Sequence, residues 1–197
     1  MILLNDLRMA IVTPPKCAST TLHDAVRHLP AELRAWPVLG PSLDGRIDHH
    51  TRALPAGCED YKIVAVVRHP LGRLVSLYHH NCTWHSCRGL AAPAFWFFVN
   101  QIARGENGDV FYSANLTRWL DGLNIAHKVK VETLDADLKA IGLEFPTKLP
   151  KANAAHRRGW QEYFTQPGLL ETIRPWAEPD FELGGFEWPS PSQPLPR

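Results

Sequence analysis

The stretch Met9-Ala10-Ile11-Val12-Thr13-Pro14-Pro15-Lys16-Cys17-Ala18-Ser19-Thr20-Thr21 decides the fold. An apolar run, 9–13, reads as a strand. A short turn follows, then a lysine, then small and hydroxyl residues where a helix over 19–28 is expected. A strand feeding a helix through such a turn makes an anion site, because the first helical turn leaves backbone N–H groups without intrahelical partners. Lys16 adds a mobile positive charge, and Ser19, Thr20 and Thr21 add hydroxyl donors. That set suits a phosphate or a sulfate ester.

A second segment repeats the theme. Ile63-Val64-Ala65-Val66-Val67 is β-branched and apolar throughout and reads as a buried parallel strand. Arg68 follows at its carboxyl end, where open α/β sheets bind ligands. Pro70 fits the first turn of a helix predicted over 70–80. Arg68 offers a guanidinium fork and Ser76 a hydroxyl, a pair suited to one phosphate group.

In order and at this spacing, the two segments resemble the nucleotide-binding elements of the sulfotransferase superfamily, whose donor is 3'-phosphoadenosine 5'-phosphosulfate (PAPS). The wording "VVRHPLGRLVSLYHH" is similar to the carbohydrate-type branch. So is the order of "KVKVETLDADLKAIGLEF", "LPKANAAHRRGWQEYFT" and "DFELGGF" downstream. The resemblance covers roughly residues 9–186. It implies an α/β fold: a three-layer sandwich with a central parallel sheet, similar to the P-loop NTPases. It also implies that Lys16, Cys17, Ala18, Ser19, Thr20 and Thr21 form the loop around the 5'-phosphosulfate, and that Arg68 and Ser76 hold the 3'-phosphate. Arg157-Arg158-Gly159 resembles a late basic stretch that clasps the same phosphate in cytosolic relatives; the plain alternative is two solvated arginines. The product would be 3'-phosphoadenosine 5'-phosphate (PAP), and no metal is required.

Sulfuryl transfer needs a cation at the leaving phosphate and a base for the acceptor hydroxyl. Lys16 suits the first role. For the second, Asp48-His49-His50 lies between the two binding elements, where the superfamily commonly places its base. The sequence does not choose between His49 and His50, and Asp48 is a candidate to orient either. The plain reading is a pair of solvated loop histidines. Glu106 and Asp109 stand in reserve. Arg73, off the helical face of Arg68, reads as structural, paired with a carboxylate or the acceptor. Tyr78, His79 and His80 are candidates to touch the acceptor or the adenine, with packing the plainer reading.

Composition bounds the rest. A chain of 197 residues with 45% hydrophobic residues fits one domain, set at 1–188, before a proline-rich tail at 189–197. The net charge of +1 gives no global field for nucleic acid or an anionic membrane. No run is long enough to span a bilayer. Asp6 and Arg8 interrupt what would be a signal core, so a soluble cytoplasmic protein is expected. Cys17, Cys58, Cys82 and Cys87 form no C-x-x-C unit. The cluster "HHNCTWHSC" fits no common zinc spacing, although a local metal or a Cys82–Cys87 disulfide stays open, with free thiols the default.

Further along the chain, a short strand is expected near 36–39 and a loop over 82–94. A helix is expected in "PAFWFFVNQIARG", and "GDVFYSANLTRWLDG" is a candidate acceptor lid. A strand at 128–131 should precede a helix over 134–141 capped by Thr133 or Asp135, and C-terminal helices should break at Pro167 and Pro175. Trp84, Trp96, Trp119 and Trp160 are candidates to stack on an acceptor. The resemblance favours a carbohydrate or glycolipid hydroxyl, with a small alcohol as the alternative. Two other readings remain. One is a non-catalytic protein that binds 3'-phosphoadenosine nucleotides or sulfated glycans. The other is a P-loop kinase, disfavoured because the loop has no glycine and Lys16 precedes the small residues.

Overall fold

In a computed structural model the chain folds as mixed α/β, and residues 1–26, 29, 36–37, 39–41, 47–48, 50–106, 113–145, 149 and 159–189 are described. It divides into two compact units. The first comprises Met1–Arg68 with Arg118–Ala155, and the second His69–Thr117 with His156–Arg197.

The first unit is built on a five-stranded sheet. Its strands are β1 (Ile2–Leu4), β2 (Met9–Val12), β3 (Trp36–Pro37), β6 (Lys62–Val67) and β7 (Ile125–Lys130), in the order β3-β1-β2-β6-β7. The strands expected at 9–13 and 63–67 are β2 and β6. They pair in parallel, with Val12 opposite Ala65, and β6 pairs in parallel with β7. The centre of the sheet is parallel, as expected, and its β1 side is not. β1 runs antiparallel to both β2 and β3. The cause is the Asn5–Leu7 3-10 turn, which Arg8 closes in a left-handed conformation (φ 48°) with its N–H on the Asn5 carbonyl. That turn is too short for a parallel crossover and folds Ile2-Leu3-Leu4 back onto β2. A separate two-stranded antiparallel ribbon joins β4 (Gly40–Pro41) to β5 (Ile47–Asp48).

Residues 63–67 of β6 are buried on both faces, as their unbroken apolar run predicts. Helix α1 (Ser19–Val26) follows β2 and buries Thr21, Leu22, Ala25 and Val26. In the parallel set, β2 and β6 end side by side, at Val12 and Val67.

The second unit holds α2 (Pro70–Ser86), α3 (Phe95–Ala103) and α6 (Leu169–Gly184). Its core gathers Leu71, Leu74 and Leu77 with Phe98, Ile102, Phe164, Ile173 and Phe181. Two expectations fail here. α2 continues through Ser86 where a loop from 82 was expected, since no glycine or proline interrupts it before Gly89. Pro175 does not end a helix: α6 runs through both Pro175 and Pro179. An interior proline costs about 3 kcal/mol. Burying Leu169, Ile173 and Phe181 returns roughly 1.5–3 kcal/mol each, enough to hold the helix together.

The short helix α4 (Leu116–Leu120) contributes Leu116 and Thr117 to the second unit and Arg118–Leu120 to the first, and α5 (Leu134–Ala140) follows β7 in the first. Thr133 takes the N-cap position of α5 but makes no side-chain cap bond. Its hydroxyl donates to Asp137, whose carboxylate also accepts the Lys130 N–H at 2.7 Å, while Asp135 accepts from the Leu149 N–H. Among the described residues no helix is long and apolar enough to cross a membrane.

Candidate functional site

The site forms at the carboxyl ends of β2 and β6, within the first unit. After Val12 the chain turns at Pro14, whose carbonyl accepts the Cys17 N–H at 3.1 Å. Lys16 and Ala18 then both adopt left-handed backbone, with φ of 67° and 56°. Left-handed residues in a tight turn gather successive N–H groups on one concave side, a nest for an anion. Non-glycine residues enter this region at a cost of about 1–2 kcal/mol each, so the surrounding structure must hold them there. Ala18 leads into α1, and its carbonyl accepts the Leu22 N–H at 3.0 Å. The N–H groups of Ser19 and Thr20 open the helix beside the nest.

Two side chains from distant parts of the sequence fasten this loop. Arg68 donates through Nη1 to the Lys16 carbonyl at 3.0 Å, across fifty-two residues of sequence. The bond fixes the peptide that carries the lysine.

His50 is buried, with Nδ1 2.7 Å from the Thr13 carbonyl. A carbonyl only accepts, so Nδ1 carries the proton in this contact. Trp119, itself buried, meets the ring edge-on with centroids 6.3 Å apart. His50 is therefore a held, oriented imidazole and not a solvated loop histidine.

The structure thus brings Lys16, Cys17, Ala18, Ser19, Thr20, Thr21, His50 and Arg68 into one connected setting. Cys17 and Thr21 turn their side chains into the core, so Cys17 contributes backbone only. Ser76 belongs to the second unit, where it is buried in α2. His49, Asp109, Arg157 and Arg158 lie outside the described residues, as does the Asp48 side chain. Glu106 is exposed and pairs with Arg104 at 3.7 Å.

Arg73 is fully buried and donates through both Nη1 and Nη2 to the Ala114 carbonyl at 3.1 Å. Its charge acts on Asp180, which accepts the N–H groups of Leu116 and Thr117 at 2.7 and 2.8 Å. Arg73 is structural, as expected. Asp180 went unread in sequence, although an acid on the buried stripe of Ile173, Ala177 and Phe181 was its signal.

Trp119 offers no open ring face to an acceptor, and one face of Trp160 is taken. Trp119 is buried, and Trp160 stacks on His69 at 5.1 Å. Tyr78 donates to the Pro93 carbonyl, and His79 shares a 2.6 Å hydrogen bond with Tyr163. Burial pushes the Tyr78 hydroxyl up to about 12, so it stays a neutral donor. The cysteines are free thiols, which sets aside a Cys82–Cys87 disulfide in this structure. Among the described residues no group of His, Cys, Asp or Glu is placed to hold a metal ion.

No family model matches the sequence, and no curated protein or solved structure matches it either.

Proposed function

We propose that the chain is a sulfotransferase that uses PAPS and sulfates an acceptor hydroxyl, with a carbohydrate or glycolipid as the favoured acceptor. One observation carries the reading: the glycine-free loop with left-handed Lys16 and Ala18, fastened by Arg68, beside an imidazole tied to Thr13. The donor set fits a phosphosulfate. Backbone N–H groups, hydroxyls and a lysine supply neutral and cationic donors and no carboxylate to repel an anion. On this reading the sheet is the core of a P-loop-like sulfotransferase fold.

When bound, PAPS supplies a sulfuryl group on a phosphate leaving group. Lys16 and the loop N–H groups neutralise the charge that gathers on that phosphate as its bond to sulfur breaks. His50 takes the acceptor proton at Nε2 while Nδ1–H stays on the Thr13 carbonyl, so the ring does not need to reorient during transfer. Arg68 keeps the Lys16 peptide in place and puts its positive charge on the nucleotide's side of the loop.

Calorimetric titration with PAP, without added metal, tests the nucleotide class, and turnover of His50→Ala tests catalysis. Micromolar PAP binding is expected, falling roughly ten- to a hundredfold in Arg68→Ala, as loss of a charge-assisted clasp implies. His50→Ala should bind PAP normally yet lose roughly 10²–10⁴ in turnover. Binding of ATP with Mg2+ in place of PAP would overturn the reading in favour of a kinase. Binding of PAP with no turnover on any acceptor would favour a non-catalytic nucleotide-binding protein.

A further inference from the structure

Among the described residues of the second unit, the large exposed apolar side chains fall in one short run. Trp84, Leu90, Trp96 and Phe97 are 43%, 52%, 49% and 45% exposed, and all fall within 84–97. Residues 90–99, Leu-Ala-Ala-Pro-Ala-Phe-Trp-Phe-Phe-Val, contain no polar side chain, and Leu90, Ala91, Ala92, Ala94, Trp96 and Phe97 all face solvent. The run is held in place by folded structure. The Leu90 N–H returns to the His85 carbonyl at 2.9 Å, and Tyr78 donates to the Pro93 carbonyl and packs edge-on against Phe95. Behind it, Phe98, Val99 and Ile102 anchor α3 in the core.

Charge narrows the partner. No Asp or Glu occurs between Asp60 and Glu106. Arg88, exposed, lies 3.7 Å over the Trp84 ring. An aromatic with an arginine on its face, in a stretch of chain that carries no acid, is the chemistry of a membrane interface rich in anionic lipid. A glycan would call for amide or carboxylate partners around the rings; residues 84–97 carry neither, and the flanking Asn100 amide donates to the Trp96 carbonyl. A second copy of the chain is disfavoured by size and sign. Half-exposed side chains that bury ~150–250 Å² at most offer about 400 Å² together, against about 800 Å² per partner in a stable interface. A two-fold contact would also bring Arg88 towards its own copy.

We propose that the 84–97 run is a peripheral docking surface for an anionic lipid bilayer. Trp96, Phe97 and Leu90 enter the headgroup–acyl boundary, while Trp84 and Arg88 rest at headgroup level. The overall charge of +1 supplies no general attraction, so the contact depends on this local surface. The inference is independent of the sulfotransferase reading.

The test is co-sedimentation of the full chain with phosphatidylcholine vesicles, with and without one quarter phosphatidylglycerol. Tryptophan quenching by lipids brominated at shallow chain positions is measured in parallel. Binding at least tenfold stronger to the anionic vesicles is expected, with quenching of the wild-type chain. The double change Trp96→Ser with Phe97→Ser should reduce binding at least tenfold, and Arg88→Glu about tenfold, with unchanged circular dichroism. Absence of sedimentation with either vesicle overturns the proposal, as does binding that neither variant alters. Concentration-dependent self-association that the double variant abolishes overturns it in favour of a second copy.

Discussion

Lys16 shows how one residue joins strain to chemistry. Its side chain supplies the charge, but its backbone, at φ 67°, shapes the nest. At an ordinary position glycine is worth about 0.5–1 kcal/mol less than alanine; at a left-handed one the order reverses. Lys16→Gly should therefore be more stable than Lys16→Ala, by about 1 kcal/mol in urea unfolding. Both should lose transfer activity, because neither carries the cation. A glycine variant less stable than the alanine variant would remove the left-handed loop from the account. The sequence marked Lys16 as the cation. It could not mark the backbone geometry, because the usual sign, a glycine, is absent.

Elements in the second unit are tied by a buried acid. Asp180 in α6 accepts the first two N–H groups of α4 and the Thr117 hydroxyl, with Arg73 of α2 as its charge partner. Removing it takes the acceptor from the buried Leu116 N–H and from Thr117, and the countercharge that Asp180 supplies to Arg73, so Asp180→Ala should cost about 3 kcal/mol in denaturant unfolding. Burial is the largest influence on its carboxyl and pushes it above its usual 3.8, against the pull of Arg73 and the N–H groups of Leu116 and Thr117. A carboxyl that holds its proton more tightly in the folded chain stabilises fully below the unfolded value, and that contribution is lost as pH rises through the folded one. Stability of the wild type should therefore descend as pH climbs from below 3.8, and Asp180→Asn, which cannot titrate, should lack that descent. An identical slope in both chains would show that Asp180 does not set it.

At the scale of the molecule, the test of ligand class is a shift in unfolding temperature. PAP at a hundred times its dissociation constant should add about 2.7 kcal/mol, or roughly 5–10 °C for a chain of this length. The shift should persist with a chelator present. A shift that appears only with Mg2+ would point to nucleoside triphosphate chemistry. The two units give the chain two chemically different surfaces: a polar nest at the carboxyl edge of the sheet, and an acid-free aromatic run beside α3.

The sequence by itself determined the strands β2 and β6, the helices that follow them, and Lys16 and Arg68 as cations at strand ends. Each of these rests on local signals: unbroken β-branched runs, a proline at a helix start, a lysine before hydroxyls. Only the tertiary structure decided that β1 turns back antiparallel, that α6 carries two prolines, and that Arg68 grips the Lys16 carbonyl. It also showed His50 held by a backbone oxygen thirty-seven residues away. Those outcomes depend on which distant groups meet. A hydrogen bond to a backbone carbonyl leaves no trace in the identity of the residue that accepts it, so Thr13 and Lys16 could not announce their partners in advance.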